Sequence, residues 1–225
     1  MNRSAEGYPS PEFTDPYPYG YLYAGLSVDP PRAPLVRRSA ERDDALEHCR
    51  SLAGRLEART DVVRARVFET VLIPPLKGVP RFDVLVLVEA AAPDALPGVR
   101  ADEAFQEIGA DLVMPAYNSV RIGDTEDPAS GTYLFNHFTA ADGEAALRAW
   151  EDLAGWYTAK AGVDNSAPLV PLEDARFAFV NYVRLPGGAA AFMADQLLRP
   201  SFHRFVRGRL KENGMAALPL ICRPR

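Results

Sequence analysis

Two adjacent side chains, Asn136 and His137, are the residue types best suited to chemistry in this chain. They sit in an otherwise aromatic and apolar run, Tyr133-Leu134-Phe135-Asn136-His137-Phe138-Thr139-Ala140. Imidazole titrates near neutrality, so His137 is a candidate general base or haem ligand. A carboxamide such as Asn136 can hold a substrate carbonyl or a bound oxygen species. The competing roles are structural: a core histidine bonded to a backbone carbonyl, and an asparagine that hydrogen-bonds between sheets. Adjacent strand residues point to opposite faces, so only one of the pair can face any single cavity.

The run has a plainer counterpart earlier in the chain, Tyr21-Leu22-Tyr23-Ala24-Gly25-Leu26-Ser27, where Ala24 and Gly25 occupy the polar positions. Asn181 and Tyr182 likewise stand where the earlier half has Val86 and Leu87. A buried polar side chain left unpaired costs about 1–3 kcal/mol. Several of them in one half point to a polar-lined pocket there, shaped by Asn181, Tyr182 and Trp156. Arg184 could bind an anionic group, although an arginine at a strand end is usually solvated. Trp150, Trp156 and Tyr157 share one helix; Trp150 and Tyr157, spaced i, i+7, fit a buried stripe, which leaves Trp156 open as a pocket residue. His203 follows Pro200 and is either a surface residue or, if haem is bound, a ligand.

The elements that must position these residues recur. Strand, helix, strand, strand, helix, strand is the predicted order from Tyr19 to Ile122, and the same order returns from residue 132 to 223. Ser39 is a fitting N-cap for the first long helix, and a helix is predicted over residues 143–161. Leu46-x5-Leu52-Ala53-Gly54-x3-Ala58 matches Leu147-x5-Leu153-Ala154-Gly155-x3-Ala159, Arg81-Phe82 matches Arg176-Phe177, and Pro75-Leu76 matches Pro171-Leu172. Gly54 and Gly155 each cost a helix about 1 kcal/mol against Ala, with close helix–sheet approach as the expected offset. Pro200 is expected to divide the helical region 188–212.

The division is therefore an N-terminal arm over residues 1–18, a first ferredoxin-like repeat over 19–123, a linker over 124–131 and a second repeat over 132–225. The fold class is α+β: tandem β-α-β-β-α-β repeats whose sheets pack on each other as an intrachain α/β barrel. Such a chain needs no dimer partner, so a monomer or weak homodimer is expected.

Bulk properties exclude several classes. The formal net charge is −5 and the 25 Lys and Arg are dispersed, which argues against nucleic acid. No apolar run approaches the roughly 18–20 residues of a membrane span. Met1–Thr14 has no apolar signal core, and the expected location is cytoplasmic. Cys49 and Cys222 do not suggest a disulfide framework. Phosphate loops, nucleophile elbows and zinc spacings are absent.

The second half resembles the antibiotic-biosynthesis monooxygenase-like group of the dimeric α/β-barrel superfamily, here in fused form. The resemblance rests on Phe179-Val180-Asn181-Tyr182-Val183, Ala191-Phe192, the Arg199-Pro200-Ser201-Phe202-His203-Arg204 turn and Asn136. It implies a small apolar cavity between sheet and helices that receives an aromatic or polyketide-like compound, and oxygenation or cyclisation with no cofactor expected. Haem is the alternative that the wider superfamily implies. The ligand histidine of its haem-degrading members would fall near Phe205, about half a turn from His203. Lys160 and Ala161 stand where its chlorite-dismutase relatives carry a Glu-His pair. A non-catalytic ligand-binding module is a third reading.

Overall fold

The computed structural model describes residues 7–29, 34, 36, 38–125 and 131–225. Its eight strands are β1 (Gly20–Leu26), β2 (Val62–Leu72), β3 (Val84–Ala90), β4 (Leu112–Asn118), β5 (Thr132–Thr139), β6 (Ala167–Pro171), β7 (Phe179–Leu185) and β8 (Ala216–Pro224). They close into one antiparallel barrel in the order β1-β3-β2-β8-β5-β7-β6-β4. The sequence predicts two sheets packed on each other as an intrachain α/β barrel, and a barrel is what forms; it closes edge to edge, β2 pairing with β8 and β4 with β6. The neighbour order β4-β1-β3-β2 of the first half recurs as β8-β5-β7-β6 in the second.

Strand alternation sends every second side chain inward. Tyr21, Tyr23, Phe68, Tyr133, Phe135 and Tyr182 fill the barrel, with Tyr133 and Tyr182 stacked at 5.6 Å. Eight strands leave an interior just wide enough for side chains, which is what these rings occupy. Arg66 crosses the same space, its guanidinium bonded to the fully buried Glu89 at 2.6 Å and lying over the Tyr182 ring.

The outward faces are covered by helices. Over the first half lies α1 (Ala40–Glu57), whose Leu46, Cys49, Leu52 and Leu56 seal Leu22, Ala24 and Leu26 of β1. Ser39 caps it by accepting the Arg42 N–H at 3.2 Å. The second helix predicted for the first half is divided into a 3-10 turn, Pro93–Ala95, followed by α2 (Leu96–Arg100) and α3 (Glu103–Gln106). Asp102 starts α3 afresh by accepting the Ala104 N–H, which separates it from α2. β3 begins after Phe82 because Asp83 turns away to accept the N–H groups of Val28 and Asp29, and β4 ends at Asn118, whose side chain bonds the carbonyls of Val120 and Pro168.

Over the second half lie α4 (Gly143–Ala161), α5 (Ala189–Leu198), a π-turn (Phe202–Val206) and α6 (Arg207–Glu212). Asp142 caps α4, and Gly162 ends it in the left-handed region, at φ 67°. Pro200 divides the last helical region as expected: it holds Arg199 in extended backbone, and the chain re-enters helix through a wide π-turn. Cys49 and Cys222 are both buried free thiols. No helix among the described residues is long and apolar enough to cross a membrane.

The arm from Gly7 onward lies across α4. Tyr8 packs edge-on against Phe205 at 4.8 Å, Phe13 sits 6.1 Å from Trp150, and Thr14 bridges Arg121. This contact corrects the reading of the two helix glycines. A Cβ on Gly155 would lie 2.5 Å from the Pro9 carbonyl oxygen, so Gly155 admits the arm and not the sheet. Gly54, its match in α1, faces open space. The linker residues 126–130 and arm residues 1–6 lie outside the described residues.

Candidate functional site

β5 carries Asn136 and His137 to opposite sides of the barrel wall. His137 points inward and is fully buried. Its Nδ1–H donates to the Leu218 carbonyl at 3.0 Å, which leaves Nε2 to accept from the Tyr23 hydroxyl at 2.6 Å. The ring also packs on Phe177, with centroids 4.7 Å apart. Burial pushes its pKa down to about 3, so the imidazole is neutral with both nitrogens engaged. At the matching position of β1, a Cβ on Gly25 would meet the Phe82 ring at 2.5 Å. Phe82 fills in one half the space that His137 shares with Phe177 in the other.

Asn136 points outward, beneath the helices. It stands directly across from Asn181 on β7, in the register where Ala24 faces Val86 in the first half. Asn181 Oδ1 accepts from the Ser166 hydroxyl at 2.8 Å. Asn136 Oδ1 is buried and has no hydrogen-bond partner, although the residue is only 8% exposed. A buried acceptor in this state costs about 1–3 kcal/mol.

Above this pair the helices leave space. A deep pocket of about 40 Å³ lies over Asn136 and Asn181 and is walled by Trp150, Leu153 and Tyr157 of α4. It adjoins an outer cavity of about 500 Å³, and the two share seven residues, Asn136, Tyr157, Phe192 and Ala217 among them. The interruption at Pro200 and the π-turn shape the outer wall, to which Phe202 and Val206 contribute. Tyr157 donates its hydroxyl to Gln196 Oε1 at 3.2 Å, and burial raises its pKa well above the ordinary phenol value. It serves there as a neutral hydrogen-bonding group.

The structure therefore brings Asn136 and Asn181 together and adds Ser166, Tyr157 and Trp150 to them. It does not bring the other candidates to the cavity. Tyr182 is stacked inside the barrel against Tyr133 and Phe135. Trp156 is fully buried behind the cavity wall and donates its indole N–H to Ser201 Oγ at 3.1 Å, bracing the turn after Pro200. Arg184 lies at the other end of β7, with Nη2 on the Asp124 carbonyl at 3.4 Å. His203 is exposed, its Nε2 bonded to the Leu197 carbonyl at 2.8 Å.

The i, i+7 spacing of Trp150 and Tyr157 marks their shared helix face, but spacing alone does not tell a core stripe from a cavity wall. Ser166 has no sequence signal, because only the β6–β7 pairing places it beside Asn181. Gln196, Thr158 and Arg207 also line the cavities, and their spacing in the sequence does not single them out.

The chain has three histidines: His48 is exposed on α1, His137 is locked inside the barrel, and His203 is on the surface. None lines the cavity, so its residues do not fit a histidine-ligated haem. Among the described residues no group of three or more His, Cys, Asp or Glu could hold a metal ion.

No family model matches the chain, and no curated protein does. Solved structures do. An anthrone oxidase-like protein is similar over 95% of this chain and 94% of its own, at 14% identity and a TM-score of 0.66. A Fusobacterium nucleatum protein provisionally described as a monooxygenase matches over 91% of each chain, at 6% identity and a TM-score of 0.53. A haem-binding protein from Thermus thermophilus covers 97% of this chain and 95% of its own, at 14% identity and a TM-score of 0.50. The chain shares their fold. At these identities the likeness extends to architecture alone.

Proposed function

We propose that the cavity between the second half of the barrel and α4, α5 and α6 binds a small hydrophobic, aromatic metabolite for oxygenation or cyclisation. The observation that carries the reading is the unpartnered Asn136 Oδ1, buried beside Asn181 on the floor of a largely apolar cavity. Buried polar atoms in proteins are normally paired, and this one faces the cavity. A hydroxyl or N–H on a bound ring would supply it. The fold shared with an anthrone oxidase-like protein supports the reaction class without fixing it.

The cavity lining contains no general base: apart from Asn136, Asn181, Ser166, Thr158, Tyr157, Gln196 and Arg207 it is apolar among the described residues. The chemistry best suited to it uses the acidity of the substrate's own phenol or enol. In the oxygenation the substrate is the reductant: a ring methylene and O2 give a ring carbonyl and water. Asn136 and Asn181 would orient the substrate oxygens, and the apolar walls would exclude bulk water. We read the recurring strand order as one unit used twice, with the second half adapted to the ligand.

The test is oxygen uptake and product mass for a panel of hydroxylated polycyclic aromatics, with wild type and Asn136→Leu. The reading predicts turnover that Asn136→Leu lowers by at least tenfold while the barrel stays folded. Saturable binding with no uptake and no mass change would leave a ligand-binding module instead of an enzyme.

A further inference from the structure

The outer cavity ends at its mouth in one ionic group. Arg207, the first residue of α6, is the single charged side chain lining it among the described residues. It is exposed and forms no ion pair or side-chain hydrogen bond with any of them. Its surroundings are cationic. Between Leu198 and Lys211 the charged side chains are Arg199, Arg204, Arg207, Arg209 and Lys211, with no carboxylate, in a protein of net charge −5. Asp195 takes up Arg199, and Asp152 and Glu212 take up Arg209, which leaves Arg204, Arg207 and Lys211 without counterions there. A locally positive rim on an acidic protein raises the concentration of anions at that mouth.

We infer that the ligand of this cavity is an amphipathic organic anion. Its apolar body lies against Tyr157, Phe192 and Val206, and its anionic group meets Arg207 at the mouth. The inference rests on the preceding reading that the cavity is a ligand site. It adds a charge requirement that the apolar lining alone does not impose.

Two fluorescent probes test it, because they share one aromatic skeleton and differ in a sulfonate: 1-anilinonaphthalene-8-sulfonate and N-phenyl-1-naphthylamine. Each is titrated into wild type, Arg207→Gln, Arg207→Lys and Ala217→Trp, the last chosen to fill the cavity floor. Arg207→Gln should weaken the sulfonate about fivefold, the size of a partly exposed charge pair. The neutral probe should stay within about twofold, and Arg207→Lys should restore the sulfonate. Added salt should weaken only the sulfonate. Equal sulfonate affinity in wild type and Arg207→Gln, with the neutral probe still blocked by Ala217→Trp, overturns the charge requirement alone. If the wild type binds neither probe, or Ala217→Trp still binds both, the ligand-site reading falls as well.

Discussion

The two halves of the barrel meet their helices over the same register and treat it oppositely. In the first half Ala24 and Val86 face each other under α1 in a sealed apolar layer. In the second, Asn136 and Asn181 face each other under a pocket of about 40 Å³ that adjoins, through Asn136, a cavity of about 500 Å³. The backbone pairing is common to both, so strand geometry does not make the site. The differences are polar side chains in the wall and helices that leave space above them, where the π-turn after Pro200 forms the outer wall. The barrel interior teaches the converse. There His137 replaces Gly25, and the added ring is absorbed by packing and two hydrogen bonds.

The largest expected effect comes from that interior position. His137→Ala removes a buried ring and orphans the Tyr23 hydroxyl, so it should cost about 3–5 kcal/mol in urea denaturation. For the same reason, replacing Asn136 and His137 together cannot separate chemistry from folding. The histidine also predicts a pH signature. Its folded pKa of about 3 lies below the ordinary 6.5, so its contribution is full above about pH 6.5. As pH falls below that, the unfolded chain takes up a proton that the native chain refuses. Stability should then decline by about 1.4 kcal/mol per pH unit toward pH 3. Between pH 6.5 and 5, above the carboxylate range, His137→Gln should lose this slope; an unchanged slope would assign it to other groups.

Ala24→Asn puts the second half's polar residue into the first half's sealed layer. Overpacking and a buried unpaired amide should together cost about 2–4 kcal/mol. Tolerance of this change, with the thermal midpoint kept, would mean that the first half hides a cavity of its own.

The glycine pair gives the smallest and sharpest contrast. Gly54→Ala faces open space in a helix and should stabilise by about 1 kcal/mol. Gly155→Ala gains the same helix propensity but collides with the Pro9 backbone, so the arm must shift. Limited proteolysis should therefore cut the arm faster in Gly155→Ala than in wild type, and at the wild-type rate in Gly54→Ala.

Much of this is legible in the sequence. The Leu-Ala-Gly matches and the repeated element order give the eight strands and the helix layer, and the replacement of Ala24 and Val86 by Asn136 and Asn181 marks the cavity floor. Three features depend on information that one-dimensional spacing lacks. Barrel closure depends on which edges meet, and nothing local in β2 or β4 names β8 or β6 as its partner. The inward side of His137 follows from the facing of a whole strand, and alternation fixes only that it opposes Asn136. Trp156 and Tyr157 are neighbours whose roles are set by a small rotation of α4: one braces the turn after Pro200, the other lines the cavity.

The most direct test of the central claim converts the second half's floor into the first half's. Asn136→Ala with Asn181→Val is compared with wild type by thermal shift against a library of hydroxylated aromatic compounds. The account predicts that the double variant stays folded, the orphaned Ser166 hydroxyl offsetting the removal of the unpaired Asn136 acceptor, and that every wild-type ligand shift disappears. A double variant that keeps those shifts would show that ligands bind elsewhere and that the asparagine pair is not the site.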